Sequence, residues 1–167
     1  YGRMEFGQRA LGHRSILCDP SKFESIKKIN TTIKKRDFWM PFTPSILKKF
    51  ADKYVLNPKN IPSNFMTTCY DTTEIGKKHL KAAIHPYDFT ARPQIVTKKT
   101  CPAYYMLIEK FHKKTGIGGL LNPSLNIHDK PIVCQPLDIV NEILKNNNGA
   151  VNYIYVQDTL YKRKIKN

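Results

Sequence analysis

Apolar residues at Phe23, Ile26, Ile29 and Ile33 recur at three- and four-residue steps and predict an amphipathic helix. Asp19 reads as its N-cap and Pro20 as its first helical residue. Tyr104, Leu107, Ile108 and Phe111 follow the i, i+3, i+4, i+7 pattern and predict the clearest helix of the chain. Pro102 suits its first turn, Lys113 and Lys114 suit the dipole at its end, and Gly116 suits the C-cap. A further helix is predicted from Pro136, with Ile139, Val140, Ile143 and Leu144 as its buried face and residues 146–149 as its end. "EIGKKHLKAAI" reads as a short helix. "FMTTCY", "GGLLN", "PIVC" and the alternating "VNYIYV" read as strands. Pro41 and Pro44 argue against a helix through "RDFWMPFTPSIL", and "NPKNIPSN" is a loop by composition. Helical and strand-like segments alternate, so the expected fold class is a single α/β (α+β) domain over residues 1–167. Residues 156–167 are its basic tail, with "YKRKIKN" expected to be mobile.

Composition agrees with one domain. A chain of 167 residues is long enough for one substantial core, and 41% hydrophobic with 25% charged residues is a soluble globular balance. No apolar run approaches the roughly 20 residues of a membrane span, so no membrane partner is expected. The sequence opens on Tyr1 and enters a glycine- and arginine-rich stretch at once, which reads as a piece of a longer polypeptide. The four cysteines form no CxxC pair, and without a visible secretory signal they are expected as reduced thiols in the cytoplasm. Charge changes the picture more. A net charge of +15, from 28 Lys+Arg against 13 Asp+Glu, favours phosphorylated small molecules, nucleotides or nucleic acid as partners.

Four polar clusters break the core pattern. They are Arg3 to Ser15 ("RMEFGQRALGHRS"), Lys34 to Arg36, Asp88 to Gln94 ("DFTARPQ"), and Asn122, Ser124 and Asn126 in "NPSLN". Guanidinium groups grip phosphate oxygens through paired hydrogen bonds, lysine adds a point charge, and Ser or Asn after a strand adds neutral donors. Taken singly, Lys34–Arg36 reads equally as a solvated helix end, "NPSLN" as an ordinary turn, and Arg92 as a surface ion-pair residue. Arginines interleaved with apolar residues in the first cluster point to partial burial, either facing an anion or pairing with Glu5 or Asp19. No GxSxG, HExxH or P-loop occurs, and the five histidines lack metal-ligand spacing, so no metal site is expected in this chain. The residues alone thus reach a cytoplasmic α/β domain that binds a phosphorylated anion.

The clusters also stand in a familiar order. "GRMEFGQRALGHRSIL" resembles G-R-x-E-x-G-P-R-A-L-G-x-R-S-I-L, which opens the C-terminal domain of nodulation-type O-carbamoyltransferases. "KKRDFWMPFTPS" resembles that family's K-x-R-E-x-x-R-P-F-A-P-S through Lys34, Arg36, Pro41, Phe42, Pro44 and Ser45. "TARPQIV" resembles T-x-R-x-Q-x-V, and "NPSLNIHDKPIVCQPLD" resembles N-T-S-F-N-x-x-G-E-P-I-V-x-x-P-x-D. The resemblance runs from Tyr1 to about Val156. Departures are Gln8 for Pro, Asp37 for Glu, Met40 for Arg, Phe89 for Gly, Pro123 for Thr, Leu125 for Phe, and Asp129-Lys130 for Gly-Glu.

The resemblance implies a YrdC-like twisted mixed sheet with packed helices around a basic cavity. It implies a domain that binds ATP and carbamoyl phosphate and forms carbamoyl-adenylate, which an N-terminal domain of the same polypeptide uses to carbamoylate an acceptor hydroxyl. Mg²⁺ would arrive with ATP, and an iron-type metal would belong to the N-terminal domain alone. On this reading Lys34, Arg36 and Arg92 grip phosphates as catalytic residues. Arg9, Arg14, Ser15, Gln94, Asn122, Ser124 and Asn126 complete the nucleotide and phosphate site. Two other classes fit the residues: a divergent non-catalytic nucleotide- or phosphate-binding domain, and an RNA-binding module. Aromatics such as Tyr104, Phe111, Tyr153 and Tyr155 mostly fit core patterns, so nucleic acid is the less expected partner.

Overall fold

The computed structural model describes residues 2–37, 39–145 and 150–164. Its centre is strand β1 (Pro44–Leu47), all four residues of which are buried. β2 (Gln94–Val96) pairs with β1 in parallel, from Ser45↔Gln94 to Leu47↔Val96. β3 (Gly119–Leu121) pairs antiparallel on the other side, from Pro44↔Leu121 to Ile46↔Gly119. Proline lacks the N–H a ladder needs, and it stands here at the first position of a strand, where it is tolerated.

Helices cover both faces. α1 (Phe23–Ile29) leads to β1, while α2 (Ala51–Tyr54) and α3 (Glu74–His79) lie in the connection from β1 to β2. α4 (Pro102–Thr115) joins β2 to β3, with Pro102 in its first turn and Gly116 closing it at φ 76, as the spacing predicts. β1 alternates its side chains between two cores. Leu47 packs with Val96, Tyr104, Ile108 and Leu120 under α4. Ile46 packs with Tyr54, Val55, Leu80 and Ile84 on the other face. A third core joins Ile16, Ile29, Ile33, Phe42 and Leu121. No described helix is long and apolar enough to cross a membrane.

Several expectations change. α1 begins at Phe23 rather than Pro20, because Asp19 Oδ1 accepts from the N–H and hydroxyl of Ser21 and so closes a turn ahead of the helix. Ile29 and Ile33 are buried, but Phe23 is 56% exposed. α5 (Pro136–Asp138) runs into a π-helical turn, Ile139–Leu144. Only Ile139 and Ile143 reach the small core with Val133, which is too small to cover Val140 or Leu144. Its expected end, 146–149, lies outside the described residues. "FMTTCY" contributes one bridge, Tyr70 to Ala91, and "PIVC" forms no strand, since neither finds a partner along its length. The tail is corrected in the opposite direction. β5 (Thr159–Lys162) pairs with β4 (Tyr153–Val156) across Gln157 and Asp158, both left-handed at φ 46 and 63. Two positive-φ residues between antiparallel strands are the tight hairpin turn whose twist matches the strands.

One glycine of the opening cluster is demanded sterically. Gly12 has φ +116, and a Cβ there would lie 2.4 Å from Tyr104 Cδ1. Gly12→Ala should therefore lower stability by roughly 2–5 kcal/mol, from backbone strain plus overpacking against a core ring. Urea denaturation checks this; a change within about 0.5 kcal/mol would refute the assignment.

A candidate anion-binding cleft

Each cluster is shaped by contacts specific to it. In the first, Glu5 Oε1 accepts from the backbone N–H of Leu11 at 2.6 Å, His13 at 2.8 Å and Arg14 at 3.4 Å. The loop from Arg9 to Arg14 thus wraps one carboxylate, and a glycine-assisted turn follows in which Ser15 Oγ accepts from Gly12 N–H at 3.0 Å. Burying Ala10 leaves Arg9 half-buried at the edge of the loop.

The second cluster follows a π-helical turn, Asn30–Lys34, that closes α1. Lys35 then turns left-handed at φ 44 and reverses the chain. The side chain of Asn30 holds the next residue from both sides: its Oδ1 accepts from Arg36 N–H at 2.9 Å, and its Nδ2 donates to Arg36 C=O at 2.7 Å. The guanidinium of Arg36 lies over the Phe42 ring, 5.1 Å from its centroid. Arg92 is held by its neighbours, Ala91 in the bridge to Tyr70 and Pro93, whose C=O accepts from Ser63 Oγ. Asn122 to Ser124 directly follow β3 at the end of the sheet.

Arg9, Arg36 and Arg92 meet at one cleft, open to solvent, whose walls also include Asn122, Pro123 and Ser124. Gln8, Ala10, Phe42, Thr43 and Met66 complete the lining. Among the described residues no carboxylate pairs with any of the three arginines. Burial, then the charge of Arg92, pushes the Arg9 guanidinium below its ordinary value. Burial, then the charges of Arg92 and Arg9, does the same to Arg36. The cleft thus concentrates positive charge without neutralising it, which is the electrostatic condition for holding an anion.

Lys34 is placed differently from the arginines. It is only 2% exposed and does not line the cleft. Its Nζ donates to Asn126 Oδ1 at 2.6 Å and to Ser124 Oγ at 3.0 Å, and the Ser124 hydroxyl donates to Asn126 Oδ1 at 2.6 Å. Burial, then Arg36, lowers its amine to about 7. Asn126 is fully engaged, since its Nδ2 also donates to Ile127 and Lys130 carbonyls. Of this trio only Ser124 reaches the cleft.

The remaining candidates separate in the same way. Gln94 is buried beneath the site: its Nε2 donates to Leu11 C=O, and its Oε1 accepts from Ser45 Oγ at 2.7 Å. Arg14 donates to Cys134 C=O at 3.1 Å and is not among the lining residues. Ser15 joins Ser124 in a backbone bridge that ties the first cluster to the fourth. Thr43 and Met66 carried no sequence signal for the cleft, and neither did Asn30, whose role is visible only as a clamp on Arg36. Of the departures, Gln8 and Pro123 line the cleft. Phe89 and Asp129, which stand where the family pattern has glycine, are left-handed at φ 59 and 60. The backbone demand persists there with a side chain in place.

Known proteins carry the same region. The family described as carbamoyltransferase C-terminus matches residues 1–163. An uncharacterized protein of Methanocaldococcus jannaschii, MJ1051, is 41% identical over 92% of this chain and 29% of its own length. Nodulation protein NolO of Bradyrhizobium diazoefficiens is 41% identical over 86% of the chain and 26% of its own. The 3'-hydroxymethylcephem-O-carbamoyltransferase of Amycolatopsis lactamdurans is 28% identical over 97% of the chain and 29% of its own. The chain therefore spans between about a quarter and three tenths of the length of these relatives, at 26% to 29%. With a family match over residues 1–163, almost every residue, this chain belongs to the carbamoyltransferase C-terminal family.

Proposed function

We propose that this domain binds ATP and carbamoyl phosphate at the arginine-lined cleft and forms carbamoyl-adenylate for transfer by an N-terminal domain to an acceptor hydroxyl. The observation that carries the reading is the convergence of Arg9, Arg36 and Arg92 with no carboxylate partner among the described residues. Two phosphorylated substrates bring several negative charges to one place, and fixed cations offset their repulsion. Arginine does so with directed pairs of N–H groups. The printed name of the cephem relative, an O-carbamoyltransferase acting on a hydroxymethyl group, supports a carbamoyl group as cargo and a hydroxyl as acceptor.

The chemistry requires positioning more than a protein nucleophile. Carbamoyl phosphate loses inorganic phosphate to water and leaves carbamate. A carbamate oxygen then attacks the α-phosphorus of ATP and expels pyrophosphate. Arg36 and Arg92 would hold phosphoryl oxygens as negative charge moves to the leaving group, with Arg9 closing the basic wall. Lys34 would act from behind the wall, its Nζ donating to Ser124 and keeping that hydroxyl in position. Arg14 would brace the backbone at Cys134. The lining residues include no carboxylate, so any Mg²⁺ would be held by the ATP phosphates and not by these side chains. When bound, the ion would neutralise phosphate charge.

Titration calorimetry with ATP and with carbamoyl phosphate tests the reading. Both should bind, and both together should yield pyrophosphate and phosphate. Absence of binding by either ligand to folded protein would overturn it.

A further inference from the structure

The carboxamide of Asn122 is oriented by three acceptors. Its Nδ2 donates to Ser45 Oγ at 2.9 Å, Ala10 C=O at 3.1 Å and Gln94 Oε1 at 3.3 Å. Gln94 cannot turn to relieve this, because its own Nε2 is committed to Leu11 C=O at 2.8 Å. A flipped Asn122 would set an oxygen against Ala10 C=O and Gln94 Oε1, neither of which can donate. The amide nitrogen therefore belongs to the protein, and Oδ1 is left over. That oxygen is buried and has no hydrogen-bond partner. Asn122 itself is 1% exposed and lines the cleft beside Arg9, Arg36 and Ser124. A buried acceptor without a partner is costly, and an ordered water or a bound ligand is what completes such a group.

We propose that Asn122 Oδ1 accepts a hydrogen bond from the carbamoyl NH₂ group and thereby selects carbamoyl phosphate over acyl phosphates that lack an N–H. The inference rests on the proposed function and names the specificity element within it. The cleft arginines carry no acceptor, so they grip phosphate and are blind to the group beyond it. In carbamoyl phosphate the nitrogen is joined to phosphorus through only a P–O–C–N path. A phosphoryl group on the arginines therefore leaves the NH₂ group within reach of a wall residue. Acetyl phosphate has nearly the same shape with a methyl group in place of NH₂. It would leave Oδ1 buried and unpaired, which is the strongest form of hydrogen-bond discrimination.

The test compares carbamoyl phosphate, acetyl phosphate and inorganic phosphate on the same chain by calorimetry, and repeats the series with Asn122→Ala. Carbamoyl phosphate should bind at least about tenfold more tightly than acetyl phosphate, and the variant should collapse that ratio toward one. Equal binding of the two by the unaltered chain overturns the role of Asn122 and leaves the anion site standing. So does a preference that survives in Asn122→Ala. Binding of none of the three overturns both readings. If Asn122→Ala does not fold, the side-chain carboxamide resonance of Asn122 decides. It should shift with carbamoyl phosphate and not with acetyl phosphate, and an equal response to both refutes the proposal. The adenine amino group is the other NH₂ donor among the substrates. A preference for ATP over purine riboside triphosphate that Asn122→Ala abolishes would assign Oδ1 to adenine and overturn the proposal.

Discussion

Arg36→Ala is expected to weaken binding of ATP and of carbamoyl phosphate by about 100-fold or more while leaving the fold intact. A paired guanidinium–phosphate contact contributes two charge-assisted hydrogen bonds, each about 1.5–3 kcal/mol, and alanine removes both. Stability should change little. The loss of the Phe42 contact, about 0.5–1 kcal/mol, is offset by relief of repulsion from Arg9 and Arg92. The backbone at this position is held by Asn30 through groups the substitution does not touch. Arg36→Lys keeps the charge but not the planar fork, and should recover only part of the affinity. Calorimetry paired with thermal melting measures both quantities. Unchanged affinity in Arg36→Ala would remove Arg36 from the site.

The second large effect is a pH dependence of stability set by Lys34. Its amine is lowered to about 7 by burial and by Arg36, while in the unfolded chain it titrates near the ordinary lysine value. The sign follows from proton counts. Between pH 7 and about 10.4 the unfolded chain holds a proton that the folded chain has released, so stability rises with pH across that window. Below about pH 7 both states are protonated and the cost of burying the charge is fully present. One proton corresponds to a slope of about 1.4 kcal/mol per pH unit. Lys34→Met carries no titrating group at this place, and Ser124 still satisfies Asn126 Oδ1. Urea denaturation between pH 7.5 and 9.5 should therefore show the variant's stability curve shallower by about that slope. Parallel curves would mean that Lys34 keeps its ordinary protonation in the folded protein.

These two residues show how far a sequence reading reaches. Lys34 and Arg36 stand two positions apart and enter the reading together as phosphate-gripping cations. The left-handed turn at Lys35 sends them in different directions, Arg36 into the cleft and Lys34 into the wall behind it. No periodicity signals that turn. Arg9 and Arg14 divide in the same way, because the loop winds around Glu5 and only Arg9 of the two lines the cleft. Gln94 looked like a ligand group and is instead the anchor that orients Asn122.

The sequence by itself determined what local chemistry controls. It marked α4 with its proline start and glycine stop, the buried run of β3, and the residue types able to grip phosphate. Helix periodicity, capping and charge act over a few neighbouring positions, so one segment carries the whole signal. It did not show that "YKRK" begins in a strand, because β5 exists only through its pairing with β4. Nor did it show which polar groups share the cleft. That choice depends on contacts between distant segments: the bridge from Ser15 to Ser124, the parallel register of Ser45 with Gln94, and the bond from Asn122 to the Ala10 carbonyl. Only the tertiary structure brings four separate loops to one end of the sheet, where a side chain's direction is decided by the segments packed around it.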